Sequence, residues 1–103
     1  MNDQLLMVDR LEELTDLASE ADNGFERAAI YAATQAIKTQ FDAIEHDLNV
    51  YTLEKLSSAC WSIRAAVGYD ITNDHSADQH VSWARGQLSV LRDLIQESKL
   101  QKQ

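Results

Sequence analysis

Apolar side chains return at steps of three and four along almost the whole of this 103-residue chain, and no proline interrupts them. Together these two facts leave room for little besides helix. Steps of three and four stack side chains on one face of an α-helix, and proline is the residue that most effectively stops one. Four segments carry the pattern. Met7, Leu11, Leu14, Ala18 and Ala21 form the first, and Ile30, Ala33, Ile37, Phe41, Ile44 and Leu48 the second. Leu53, Leu56, Cys60, Ile63 and Val67 form the third; Ala77, Val81, Ala84, Leu88, Leu91 and Ile95 form the fourth. No strand-like alternation of useful length competes with them. The chain is expected to be all-α.

Capping chemistry sets the boundaries. Asn23 followed three residues later by Glu26 has the form of a capping box. Asn49 or Thr52 is placed to cap the third helix, and Gly68 supplies the left-handed position that commonly ends one. Ser76 with Gln79 repeats the N-terminal signal after a polar stretch. These signals predict helices over about 3–21, 25–47, 52–67 and 76–100. One domain is the expected count at this length. Short connections favour antiparallel neighbours, so the simplest architecture is a small four-helix bundle made of two antiparallel helical hairpins.

Composition narrows the function classes. With 45% apolar and 25% charged residues the chain has the balance of a globular domain rather than a disordered one. A net charge of −8 argues against a nucleic-acid grip, which needs clustered Lys and Arg. No apolar run approaches the roughly 18 residues of a membrane span. A secretory signal is not expected, since no basic region precedes an apolar stretch. Cys60 is the only cysteine, so no intrachain disulfide can form. A cytoplasmic setting fits these features.

Charge is unevenly distributed. Residues 1–54 hold 12 acidic and 3 basic side chains, whereas residues 55–103 hold 5 and 6. The first helix contributes Asp3, Asp9, Glu12, Glu13, Asp16 and Glu20 against Arg10. Such a run is either a solvated helix face or a docking surface whose potential steers a basic partner. The stronger form of that surface is DNA mimicry, and an acidic inhibitor of the phage type is a further reading.

Catalytic constellations are missing. Phosphate-binding glycine loops, a nucleophile elbow and paired zinc cysteines are all absent. Cys60 falls on an apolar stripe, where a thiol is a small hydrophobe. Asp42, Glu45 and His46, and again Asp74, His75, Asp78 and His80, offer metal-ligating side chains. Neither group has the Glu-x-x-His spacing of di-iron bundles, and caps and the helix dipole account for acidic residues near a helix start. The sequence therefore predicts no catalytic residue, no cofactor and no metal.

The aromatics offer more. Trp61 follows Cys60 and lies about 100° off the core stripe. Trp83, Val90 and Leu94 make a second row on the last helix, and Tyr69 stands just past Gly68. Bulky flanking residues either widen a small core or form a patch that anchors a partner. On the second reading the anchors are Trp61, Trp83 and Tyr69, and the charged rim is Glu12, Glu13, Asp16, Asp70 and Asp74. Ala28, Ala29, Ala32, Ala33 and Ala36 permit close helix approach, within the bundle or across a homodimer.

Several segments also resemble a known family in order and spacing. They are Met7-Val8-Asp9-Arg10-Leu11, the Ala/Gln-rich second helix ending in Phe41-Asp42-Ala43-Ile44, the Leu53-to-Ile63 helix and the loop Asp70-Ile71-Thr72-Asn73-Asp74. Across roughly residues 7–86 the layout resembles small immunity proteins of type VI secretion systems, which protect bacteria against NAD-degrading and related nucleotide-modifying toxins. The resemblance implies a non-catalytic cytoplasmic inhibitor that binds and occludes a cognate toxin domain. It carries no residue roles with it. The alternative class is a self-associating helical adaptor or structural module, whose aromatic flank would close a homodimer.

Overall fold

The computed structural model describes residues 3–43, 49–69 and 76–101, and among these every regular element is helical. The helices are α1 (Asp3–Glu20), α2 (Gly24–Asp42), α3 (Val50–Ala66) and α4 (Ala77–Gln101). Residues 44–48, where the second helix is expected to end, and residues 70–75, expected to belong to a polar loop, lie outside the described residues.

The expected caps are in place, with two differences. Asn23 Oδ1 accepts from the Glu26 N–H at 2.9 Å. The Glu26 carboxylate reaches back to the N–H of Asp22, also at 2.9 Å, one residue upstream of the usual capping-box partner. Asn49, rather than Thr52, caps α3: its Oδ1 accepts from the Thr52 N–H at 2.8 Å and from the Thr52 hydroxyl at 2.9 Å. The helix therefore starts at Val50, two residues before the expected position. Ser76 Oγ accepts from the Gln79 N–H at 3.2 Å. At the end of α3, Gly68 adopts φ +92°. The Gly68 N–H donates to Ala65 O at 3.0 Å and the Tyr69 N–H to Arg64 O at 2.9 Å, the paired bonds of a Schellman motif.

One core joins all four helices: Val8, Leu11 and Ala18 from α1, Ile30 and Phe41 from α2, Leu56, Cys60 and Ile63 from α3, and Val81, Leu88, Leu91 and Ile95 from α4, among others. The α4 stripe is as expected except that Ala77 is exposed. On α1 the buried line is turned by about one residue. Val8 is fully buried, while Met7, Leu14 and Ala21 are half-buried. Thr15 and Thr34 occupy buried positions that apolar periodicity passed over. Each hydroxyl donates to the carbonyl four residues back, Leu11 O and Ile30 O, at 2.8 Å, which removes most of the penalty of burying it.

Packing is most extensive between α3 and α4, and α1 lies against both α4 and α2. Asp9 and Glu12 meet Arg92 while Asp16 meets Arg85, so α1 and α4 run in opposite directions. Tyr31 meets Tyr69 while Gln35 meets Arg64, and α2 and the end of α3 likewise run oppositely. The body measures 45 × 22 × 18 Å. Among the described residues no helix is long and apolar enough to cross a membrane.

Candidate functional site

The aromatic anchors fall in two separate places. On the first, the ring of His80, in the opening turn of α4, is only 1% exposed. Trp61 of α3 meets it edge-on at 5.3 Å and Trp83 of α4 does the same at 5.3 Å, with interplanar angles of 83° and 76°. Edge-to-face contacts of this kind add to the stabilisation from burial alone. The imidazole that sequence grouped with His75 and Asp78 is thus a wedge between two indoles. Trp61 is half-buried and Trp83 is 36% exposed, so both are held partly by the core. On the second, Tyr69 is exposed and stacks on Tyr31 of α2, with centroids 4.5 Å apart. That pair joins α2 to the end of α3.

Four acidic residues of α1 are engaged by arginines. Arg92 of α4 bonds both Asp9 and Glu12, its Nε donating to Glu12 Oε1 at 3.1 Å. Arg85 meets Asp16 at 3.2 Å, and Arg10 meets Glu13 within α1 at 3.3 Å. The Asp9 and Glu12 carboxylates raise the pKa of Arg92 and hold it charged. Glu12, Asp16, Arg85, Ser89 and Arg92 line a polar furrow of about 340 Å³ along the α1–α4 seam. Glu12, Glu13 and Asp16 thus each stand beside an arginine, with side chains still 46%, 62% and 71% exposed. Asp70 and Asp74 lie outside the described residues.

Sequence reasoning missed a second furrow, of about 310 Å³, between the end of α1 and the start of α2. Its lining is Leu17, Ala21, Phe25, Ala29 and Ile30, with Glu20 and Glu26. Phe25 is 85% exposed and Leu17 52%. The local cause is plain. Asn23 and Glu26 fix the start of α2, and Phe25 then faces away from the side of that helix carrying Ile30, Thr34 and Phe41. A signal existed: Leu14 and Leu17 on α1 with Ala21 just past its end, and Phe25, Ala29, Ala32 and Ala36 on α2, repeat at steps of three and four as second apolar rows.

Of the groups with chemical potential, Cys60 is fully buried and burial pushes its thiol up to about 11. A thiol so protonated and enclosed is a poor nucleophile. Asp42 pairs with Lys38 at 2.8 Å. Among the described residues no three His, Cys, Asp or Glu side chains converge as a metal site would require; Glu45, His46, Asp74 and His75 lie outside them. Comparison with family models, curated proteins and solved structures finds no match to this chain.

Proposed function

We propose that this chain is a non-catalytic binding protein of the immunity type, which inhibits a cognate secreted antibacterial toxin domain in the cytoplasm by covering it. Its helices are read as two antiparallel hairpins, α1–α2 and α3–α4. The observation that carries this reading is the distribution of exposed apolar surface. Phe25, Leu17, Val50 and Tyr51 stand out from the body while the acidic side chains of α1 are largely matched by arginines. Contiguous exposed apolar patches mark sites of association, and Leu17 and Phe25 share one furrow. The contact is thus expected to be centred on apolar side chains, with charge tuning encounter rather than residence.

A second reading, self-association as a helical adaptor, is favoured by one feature. Ala28, Ala29, Ala32 and Ala36 of α2 are exposed, and only Ala33 of that run is half-buried. The alanines are thus spent on solvent rather than on packing inside the bundle.

The test is co-expression with the protein encoded by the adjacent gene. A 1:1 complex by light scattering, together with rescue of cells from that protein's toxicity, is the expected result. Unrelieved toxicity alongside a stable homodimer of this chain would favour the adaptor.

A further inference from the structure

We propose that the furrow between α1 and α2 seats a basic amphipathic helix of the protein partner, an assignment that rests on the reading of this chain as a binding protein. The partner helix would place apolar side chains at steps of three or four against Leu17, Ala21, Phe25 and Ala29. Lys or Arg on its flanks would face Glu20 and Glu26.

Three observations lead there. Phe25 has no task inside the molecule: Asn23 and Glu26 cap α2, and Ile30 and Phe41 supply its core contacts, yet an aromatic side chain stands 85% exposed at the lip of the furrow. The floor is built of Ala21, Ala29 and part of Ile30, small enough for the backbone of a third helix to come close. Helix-in-groove recognition uses this geometry, with anchors one turn apart. The third observation is charge. The lining holds two carboxylates and no basic side chain. Glu26 is held in position by the Asp22 N–H at 2.9 Å, so its carboxylate is placed before a partner arrives.

Charge also selects among occupants. A second copy seated here about a two-fold axis would bring Glu20 and Glu26 of one molecule toward those of the other. Like charges placed opposite each other oppose that pairing, and each copy carries a net charge of −8. A basic helix meets neither obstacle.

The experiment uses a fluorescein-labelled peptide of about 18 residues, long enough to hold a helix, with Leu at steps of three and four and Lys on both flanks. Its twin has Glu in place of every Lys. Anisotropy titrations at low salt should give saturable binding of the Lys peptide and none of the Glu peptide. Phe25→Ser, at an exposed position, should keep the helical signal and melting temperature while weakening binding about tenfold or more. Glu20→Lys should weaken it several-fold and flatten its salt dependence. Amide shifts in NMR spectra should cluster over residues 17–30. Failure of the Lys peptide to saturate, equal binding of the Glu peptide, or unchanged affinity in Phe25→Ser and Leu17→Ser would overturn the proposal. So would a concentration-dependent dimer that Phe25→Ser abolishes, which would make the occupant a second copy. The cell assay separates this site from the function. If wild type and Phe25→Ser protect equally from the neighbouring toxin, the furrow assignment falls and the immunity reading stands. If the peptide binds as described but no protection is seen, the immunity reading falls instead.

Discussion

Helices α2 and α3 are close in length, 19 and 17 residues, and both are rich in alanine and small side chains, yet the molecule treats them differently. Along α3, Thr52, Leu56, Ala59, Cys60, Ser62, Ile63, Ala65 and Ala66 are all buried. On α2 only Ile30, Thr34 and Phe41 are, and Ala28, Ala29, Ala32 and Ala36 face outward. Alanine costs little in either setting, so its presence does not reveal which way a helix face points. Position does: α3 packs on α4, α2 and α1, whereas the far side of α2 is left open. Of two similar helices, one became the centre of the body and the other a surface.

The sharpest way to break this contrast is at Leu56, fully buried on α3. Leu56→Ala should cost about 2–5 kcal/mol in denaturant unfolding, through lost burial and an unfilled cavity. A loss below about 1 kcal/mol would mean that α3 is not enclosed as described.

Cys60 comes next. Cys60→Ser should cost on the order of 1–3 kcal/mol by placing a hydroxyl among apolar neighbours, and the native wild-type thiol should resist labelling by thiol reagents at pH 8. A pH effect follows from the same burial. Burial raises the thiol from its ordinary 9.0 to about 11, so the folded chain holds this proton more tightly than the unfolded chain. The contribution is complete below pH 9 and fades as pH rises toward 11. Wild type should lose stability across that window more steeply than Cys60→Ala, in which the other titrating groups are unchanged.

Ser62 tests a smaller effect. It is 1% exposed and donates to Gln87 Oε1 at 3.0 Å, tying α3 to α4. Ser62→Ala should cost about 1 kcal/mol, as one hydrogen bond is lost while Gln87 keeps access to water. Smallest of all, Ala32→Gln on the open side of α2 should change stability by no more than about 0.5 kcal/mol. A larger loss that grows with protein concentration would show that a second copy covers that face.

Helix existence and most ends were legible because caps and periodicity are local. Asn23, Gly68 and Ser76 do what their side chains or backbone freedom suggest. Thr15 and Thr34 were not legible as core, since a hydroxyl becomes tolerable inside only after the carbonyl four residues back accepts it. Much of the candidate site was harder still. The acidic row of α1 looked unbalanced because its counter-charges sit on a distant segment. A hint was present, for Asp9 to Asp16 and Arg85 to Arg92 are both seven-residue steps, a matched spacing on two helices. Phe25 stands off the expected stripe of its helix, and His80 is grouped in sequence with His75 and Asp78 as a metal-ligating side chain, whereas the fold wedges it between two indoles.

The arginine contacts of α4 with α1 join residues 69, 80 and 83 positions apart. They also imply an order of assembly. Closing a long chain segment costs entropy that grows with its length, whereas α3 and α4 are neighbours along the chain and share the largest interface. That pair is therefore the natural early product of folding, and α1 the late arrival that swings back onto it. Amide exchange in native conditions should accordingly be fastest in α1 among the four helices, through openings that leave α3 and α4 protected. Added salt should widen that gap by screening the arginine pairs. Because α1 forms one wall of the α1–α2 furrow, each such opening also dissolves it, so a helix bound there should slow exchange along α1 in proportion to its occupancy.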